Sequence, residues 1–392
     1  MDKSFEAKCL AQLPITASIQ ESDSTRASLN DEYRSLQWTA DGTCLLAADY
    51  NNNIKTIVVP VDLLESRDDP LVLEIYSSLS SPEPVRALAG APFFDLQSPS
   101  TALILSSVRD HPLHLSSALN GERIAVYPLI NPMTEEYICP NSLTFSLDGT
   151  HIIAGSESRL STFDISRPGS GPLHYTQTGP KNIKDDRWNP STRLRGIISA
   201  LDIESASNVL AAGTFSRSVG LYEAGGSGTC VGAFSVDGNA ADAEIGGSGI
   251  TQVKWSKCGR YLHIAERNSD GILIYDIRST GQLLSWCTGR SAVTNQRLSF
   301  DLGSTVDEGY HISAGGVDGL VRTWKDAHKQ EGAIAPIESM RSHTGKSDAV
   351  SGTAAHHAGG VLATASGRDY FKQHESDTAA RDARIKIWLV DH

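Results

Sequence analysis

Short apolar stretches with period-two alternation, separated by turn residues, recur along the whole chain. One unit consists of an apolar strand, a tight turn rich in Asp and Gly, and two further short strands joined by a polar turn. Alternation of this kind is the signature of half-buried antiparallel strands. The clearest copy runs from Leu143 to Ile165 and carries Asp148 and Gly149 in its tight turn. Two more copies are nearly as clear, at residues 36–59 and 253–276.

Weaker copies fill the gaps, so that seven units follow one another at spacings of roughly 45 to 56 residues, a period typical of blade repeats. They lie at residues 94–119, 197–222, 298–324 and 350–389. Four-stranded sheets of this period around an axis form a propeller, whose closure leaves only short, protected edges. The sequence therefore predicts an all-β fold, a seven-bladed WD-repeat β-propeller. A β-sandwich of short strands is the alternative, but it does not explain seven copies of one turn unit.

The domain boundaries follow from where the repeats begin. We expect the propeller to occupy residues 31–392 and a strand from residues 1–30 to close the ring, with Phe5–Leu10 and Ile15–Ile19 as the two possibilities. The fourth strand of each blade falls in the looser segment before the next unit. Gly/Pro-rich or charged composition predicts long loops at three places, which are either functional or simply tolerated: residues 166–193, 224–249 and 367–383.

Composition narrows the class of protein and of partner. Hydrophobic residues make up 40% of the chain, charged residues only 20%, and there are 34 glycines, which is typical of a globular, turn-rich protein. The net charge of -12 argues against a general polyanion binder, although it leaves room for a local basic patch. The six cysteines are scattered and no apolar run is long enough to span a bilayer. We therefore expect a monomer with reduced thiols, in the nucleus or cytosol, without membrane contact.

Catalytic and cofactor signals are weak. Residues 344–347 read Thr-Gly-Lys-Ser, but Met340 stands where a phosphate-binding loop needs its first Gly, and no helix is expected to follow. The close histidine pairs, His111 with His114 and His356 with His357, lack a third ligand at metal-binding spacing. No nucleophile motif occurs either. The sequence thus predicts no enzyme, no cofactor and no metal.

Arginine placement is the remaining chemical signal. The turn between the second and third strands of each unit points to one face of a propeller, and the segment that leads into the first strand reaches the same face. Guanidinium groups there suit phosphates and guanine edges. Alternatively, such arginines pair with neighbouring carboxylates and contribute little. The candidates are Arg109, Arg159, Arg217 and Arg267 in or beside the turns, and Arg195 and Arg297 near the first strands.

Several short segments in order carry a family resemblance. They read Tyr127-Pro-Leu-Ile130, Gly196-Ile-Ile-Ser199, Ser216-Arg-Ser-Val-Gly-Leu-Tyr222, Thr294-Asn-Gln-Arg297 and Phe300-Asp-Leu302. Across about residues 30–326 the chain resembles the telomerase Cajal body protein family, as a divergent member of fungal type. The long Pro-rich and acidic extension of animal members is absent here, and the last blade matches poorly.

The resemblance implies a non-catalytic, nuclear RNA-binding scaffold of small nuclear ribonucleoproteins. Its implied partners are small nuclear RNA with a Cajal-body box, or telomerase or spliceosomal RNA, together with ribonucleoprotein proteins. Loop bases can stack on aromatic or Arg planes, and Asn and Gln suit adenine while Arg suits guanine. Asn295, Gln296 and Arg297 are therefore the first candidates. The alternative is a protein-interaction scaffold without direct RNA contact, in which carboxylates occupy the arginines.

Overall fold

A computed structural model of the chain describes residues 3–4, 7–14, 32–180, 189, 192–279, 281–304, 309–343, 348–368 and 384–390. Some of the segments named above lie outside the described residues. These are residues 15–19, the Thr-Gly-Lys-Ser segment at 344–347, residues 181–188 and 190–191 of the first predicted loop, and residues 369–383 of the third.

Seven antiparallel sheets account for nearly all the regular structure of the described residues. The fold is a seven-bladed β-propeller, which confirms the prediction from the repeat. Each sheet has four antiparallel strands, and three sheets carry a fifth, parallel strand on the outer edge. We number the sheets as blades 1–7 in chain order. They divide between two compact units, residues 1–84, 289–326 and 335–392 in unit 1, and residues 85–288 and 327–334 in unit 2.

Unit 1 contains blades 1, 6 and 7. Blade 1 consists of Tyr33–Trp38, Cys44–Asp49, Asn53–Val58 and Ile75–Ser80. Blade 6 consists of Phe300–Ser304, Tyr310–Gly315, Leu320–Lys325 and Glu338–Arg341, with Lys3–Ser4 as its parallel fifth strand. Blade 7 consists of Asp348–Ala355, Val361–Arg368, Ile385–Leu389 and Lys8–Gln12, with Leu71–Val72 as its parallel fifth strand. An early segment, Lys8–Gln12, is thus the fourth strand of the last blade.

Unit 2 contains blades 2 to 5. Blade 2 consists of Val85–Gly90, Leu103–Val108, Leu113–Ser117 and Arg123–Tyr127. Blade 3 consists of Ser142–Phe145, His151–Ser156, Arg159–Asp164 and His174–Gln177, and blade 4 of Ile198–Ile203, Leu210–Thr214, Ser218–Tyr222 and Cys230–Ser235. Blade 5 consists of Ile250–Trp255, Tyr261–Glu266, Ile272–Asp276 and Leu283–Cys287, with Gly332–Ile334 as its parallel fifth strand.

Helix is confined to single turns among the described residues. They are the α-helical turn Asp242–Ile245 and the 3-10 turns Ala224–Gly226, Ile277–Ser279 and Ala327–Lys329. Two of these turns, and the fourth strand of blade 4, lie within the 224–249 segment, while the fourth strand of blade 3 lies within 166–193. Two of the three predicted long loops therefore contain the outer strands of their blades.

The Asp/Gly turn of the repeat has a specific hydrogen-bonding role. In blade 3 the Ser146 hydroxyl donates to Asp148 at 2.5 Å, and the His151 backbone N–H donates back to Ser146 Oγ at 2.9 Å. The bond from Ser146 lowers the pKa of Asp148 to about 2. Gly149 closes the turn at φ 68°, a left-handed conformation that other residues adopt only with strain. Such a turn sets the register between the first and second strands of a blade. It thereby also sets where the second strand ends and the turn to the third strand begins.

Candidate functional site

In an antiparallel four-stranded sheet, the turn between the second and third strands lies at the same end as the start of the first strand. Within unit 2, the first strands of successive blades also begin side by side. The Ser142 hydroxyl of blade 3 donates to the Ile198 carbonyl of blade 4 at 3.0 Å, and the Ser199 hydroxyl donates to the Ile250 carbonyl of blade 5 at 2.5 Å. The turns of these three blades therefore lie along a common edge of unit 2.

Residues 195–197 are clamped between two of these turns. The Ser158 N–H donates to the Gly196 carbonyl at 2.8 Å, the Gly196 N–H donates to Ser158 Oγ at 3.0 Å, and the Phe215 N–H donates to the Ile197 carbonyl at 3.1 Å. Gly196 has φ 105°, and a Cβ there would overlap the Ser216 hydroxyl, so the close approach requires glycine. The backbone on either side of this glycine is thus held in one position.

A groove of about 680 Å³ opens next to the clamped segment. This volume is in the range of small-molecule and cofactor sites, roughly 300–1,000 Å³. Two exposed guanidinium groups, of Arg193 and Arg195, line it, and neither has an ion-pair partner among the described residues. Phe215 and Phe234 supply its aromatic lining, and the exposed carboxylate of Glu157 is its acidic member.

Arg267 packs against Phe215, one of the two aromatic residues that line the groove. Its guanidinium lies over the Phe215 ring with 4.2 Å between Cζ and the ring centroid, which is a close cation–π geometry. Both side chains are half-buried, and Arg267 Nε has no hydrogen-bond acceptor within the part of the chain that the structure describes. Two of the arginines chosen from sequence therefore lie at the groove. Arg195 lines it, and Arg267 packs on Phe215, which also lines it.

Arg217 has a different environment. Its guanidinium donates to Glu266 at 2.8 Å, to Asp242 at 2.5 Å and to Asp237 at 2.6 Å, and only 12% of its side chain is exposed. Burial lowers the pKa of Arg217, but the hydrogen bonds to Glu266 and Asp242 outweigh it and raise the pKa above the ordinary value. With its donors occupied by carboxylates, Arg217 holds the segment after blade 4 against blade 5.

The two remaining arginines of unit 2 lie apart from the groove lining. Arg159 begins the third strand of blade 3 and lies over the Tyr175 ring, 5.0 Å from its centroid. Arg109 directly follows the second strand of blade 2, its side chain is more than half exposed, and its Nε lies 3.6 Å from the Asp110 carboxylate. Both follow the predicted pattern of position, but neither contributes to the groove.

The Asn295-Gln296-Arg297 segment belongs to unit 1 and leads into the first strand of blade 6. Asn295 is exposed, Arg297 is half-buried, and Gln296 is buried. The Gln296 amide donates from Nε2 to the Tyr50 hydroxyl at 2.7 Å, and the Arg34 guanidinium lies 4.6 Å from the centroid of the Tyr50 ring. Gln296 therefore fixes an aromatic side chain in the turn of blade 1, and Asn295 is the most exposed member of the segment.

Buried Arg290 donates hydrogen bonds to the backbone that follows this segment. It is 1% exposed, and it donates from Nε to the Gly315 carbonyl at 3.1 Å and from Nη2 to the carbonyls of Leu298 at 2.8 Å and Ser299 at 3.1 Å. A buried cation is tolerated where its hydrogen bonds are satisfied. Arg290 thereby ties the end of the Asn295-Gln296-Arg297 segment to the second strand of blade 6.

Sequence reasoning missed the residues that complete both clusters. Phe215 and Tyr50 are aromatic residues in the turns between second and third strands, and that position is the signal that could have identified them. Arg193 is two residues before Arg195 and shares its exposure. Arg290 carries no such signal, because its role depends on carbonyls that only the tertiary fold brings together.

The described residues contain no group of three His, Cys, Asp or Glu side chains placed to hold a metal ion. No helix in the same ranges is long and apolar enough to cross a membrane.

Comparison with known proteins gives the class and then the family. The fold and the turn chemistry are those of a WD-repeat propeller, although no protein-family model matches the chain. Guanine nucleotide-binding protein negative regulator 1 of Schizosaccharomyces pombe is 32% identical over 298 residues, which cover 75% of this chain and 70% of that protein. The human telomerase Cajal body protein 1 is 27% identical over 348 residues (86% and 57%), and the Drosophila melanogaster homologue is 26% identical over 353 residues (85% and 56%).

These similarities show the family of the protein. The chain belongs to the telomerase Cajal body protein family, as a divergent member with a fungal relative in fission yeast. The recognition made from short segments is thereby confirmed. The chain spans 57% of the length of the human protein and 56% of the Drosophila homologue. None of these relatives carries the name of an enzyme.

Proposed function

We propose that this WD-repeat scaffold binds single-stranded RNA in the groove of unit 2, as a non-catalytic component of a nuclear ribonucleoprotein. The observation that carries the proposal is the exposed pair Arg193 and Arg195, the second of them in the clamped segment 195–197, beside the Phe215–Arg267 stack. The names of the animal relatives, which refer to telomerase and the Cajal body, favour small nuclear or telomerase RNA as the ligand.

The three kinds of side chain in the groove suit the three parts of a nucleotide. Guanidinium groups form charge-assisted bonds with phosphate oxygens, and here the donors of Arg193 and Arg195 are exposed. The Phe215 ring and the Arg267 plane offer faces on which an unpaired base can stack, an interaction of about 1–3 kcal/mol per base. The Glu157 carboxylate can accept from an exocyclic amino group. Duplex RNA presents no free base face, so the groove favours loops.

Net charge is compatible with this assignment. At -12 the protein repels RNA at long range, and binding must therefore come from a local site whose contacts overcome that repulsion. We expect a selective binder with a modest salt dependence, set by two or three phosphates, and not a general RNA coat.

The test is RNA affinity in matched variants. We expect Arg195→Ser to weaken binding of a fluorescein-labelled hairpin RNA with a mixed-sequence loop about 10-fold, which corresponds to one lost charge-assisted bond. Phe215→Ala should weaken it about 5- to 100-fold through lost stacking. Fluorescence anisotropy measures both, and a blunt RNA duplex of equal length should bind wild type and variants alike.

Arg167→Ser is the matched control. Arg167 is an exposed arginine of blade 3, whose turn at Glu157 and Ser158 borders the groove, but it follows the third strand and so lies at the opposite end of that sheet from the groove. Its replacement should change RNA affinity less than two-fold, within the range of a surface charge. Equal losses for Arg167→Ser and Arg195→Ser would show that the groove is not the site.

A protein-interaction scaffold without RNA contact is the second candidate. One observation favours it: the carboxylates of Glu266, Asp242 and Asp237 already occupy Arg217, which removes one of the candidate arginines from RNA contact. On this account, partner proteins would remain bound to the native protein after RNase treatment, and Arg195→Ser would leave them in place.

A further inference from the structure

Exposed apolar side chains are concentrated in the connection between the third and fourth strands of blade 1 and at the start of the fourth strand. Among the described residues, 17 large hydrophobic side chains are exposed, and five of them lie within residues 61–76. They are Val61, Leu64, Val72, Ile75 and Tyr76, with exposed fractions from 41% to full exposure. Single exposed hydrophobics need no explanation, whereas contiguous ones mark interaction sites, and these five lie within 16 consecutive residues.

The backbone under these side chains is fixed. The Leu63 N–H donates to the Pro60 carbonyl at 3.2 Å, and the Leu73 N–H donates to the Gln12 carbonyl at 2.9 Å. Leu63 and Leu73 are buried in the core, while their neighbours Leu64 and Val72 face solvent. The exposed side chains therefore belong to an ordered segment that is anchored on both sides, and their exposure is not a consequence of a frayed chain.

The same segment is strongly acidic. Residues 61–76 contain Asp62, Glu65, Asp68, Asp69 and Glu74 against a single Arg67, so that five negative charges and one positive charge give -4. The Arg67 guanidinium donates to Asp62 and to Glu65, which leaves Asp68, Asp69 and Glu74 as exposed carboxylates without a cation in any ion pair within the described residues. This surface repels nucleic acid, and a complementary partner must be basic.

We propose that residues 61–76 form a docking surface, the acidic–apolar patch, for a Lys/Arg-rich amphipathic segment of a partner protein. Apolar side chains of that segment would pack on Leu64, Val72 and Tyr76, while its cations would meet Asp68 and Asp69. The charge complementarity sets the identity of the occupant, since both a nucleic acid and a second copy of this acidic chain would bring like charge to the patch. The scaffold then has an RNA surface in unit 2 and a protein surface in unit 1.

A defined peptide tests the proposal. The probe is a fluorescein-labelled synthetic peptide in which Arg and Leu alternate, with Ser residues between them. The full chain is titrated into the peptide, and binding is followed by fluorescence anisotropy. We expect the double variant Leu64→Ser/Tyr76→Ser to weaken binding at least 10-fold, and Asp68→Asn/Asp69→Asn to weaken it several-fold and flatten its salt dependence. A peptide with every Leu replaced by Ser should bind at least 10-fold more weakly to wild type.

Matched controls separate the patch from general attraction between a basic peptide and an acidic protein. Leu173→Ser removes an exposed leucine of blade 3, and Glu135→Gln/Glu136→Gln removes an adjacent pair of exposed carboxylates in unit 2. Both should bind the peptide like wild type. Losses of equal size in controls and patch variants would overturn the proposal. So would a concentration-dependent dimer, measured by sedimentation, that Leu64→Ser/Tyr76→Ser abolishes, because it would assign the patch to a second copy.

Discussion

Replacement of Arg217 by Met should destabilise unit 2 by about 3–5 kcal/mol, the loss measured when one partner of a buried ion pair is removed. The effect is large because Glu266 is only 1% exposed on its side chain and would keep a buried, uncompensated charge. Urea denaturation should show a lower unfolding midpoint, and hydrogen exchange should rise in residues 236–249, which Arg217 holds through Asp237 and Asp242.

A second substitution separates charge from packing at this site. In the Arg217→Met background, Glu266→Gln removes the buried charge and should restore part of the lost stability, giving a coupling energy in a double-mutant cycle. Arg278→Met is the control, since Arg278 binds Asp276 at the surface with 61% of its side chain exposed, and we expect little change. If Arg217→Met has the same urea midpoint of unfolding as the wild type, the three carboxylates are held in place without Arg217.

Replacement of Arg290 by Met has the second largest expected effect. It leaves the carbonyls of Gly315, Leu298 and Ser299 without their donor in a buried position, and each unsatisfied group costs roughly 1–3 kcal/mol. We expect a stability loss of about 2–5 kcal/mol, with faster amide exchange at Ser299 and at Val317, whose N–H donates to the Ser291 carbonyl. Mass-spectrometric hydrogen exchange resolves both segments.

The exposed Arg341 provides the control for Arg290, because it belongs to the same blade and donates to the Asp318 carbonyl only at 3.4 Å. Arg341→Met should leave exchange and stability close to wild type. Protection at Ser299 that survives Arg290→Met would mean that other contacts hold the Asn295-Gln296-Arg297 segment.

Most of the fold could be predicted from sequence, because the first three strands of each blade repeat one pattern. Alternation marks the half-buried strands, short apolar runs such as Cys44–Asp49 and Leu210–Thr214 mark strands that are buried on both sheet faces, and the Asp148-Gly149 turn marks their spacing. The outer strands His174–Gln177 and Cys230–Ser235 could not be separated from loops, since none of their residues is buried and their alternation is weak. The parallel fifth strands, such as Leu71–Val72, are too short to leave any local signal.

Strand-end position could be predicted from sequence, but the chemistry around each arginine could not. The rule places Arg195 and Arg267 at the edge of unit 2 where the groove opens, while Asn295, Gln296 and Arg297 belong to unit 1. However, the same rule selects Arg217, whose partners Asp242 and Glu266 are 25 and 49 residues away in sequence. Whether a turn arginine faces solvent or a carboxylate depends on which segment folds over it, and no local pattern contains that information.

Ultraviolet cross-linking of RNA to the native protein, followed by peptide mass spectrometry, tests the central claim most directly. The account predicts a nucleotide adduct within residues 192–218, the segment that contains Phe215. The adduct should be retained in Arg167→Ser and strongly reduced in Arg195→Ser. Cross-links confined to other parts of the chain, or RNA cross-linked only to co-purifying proteins, would contradict it.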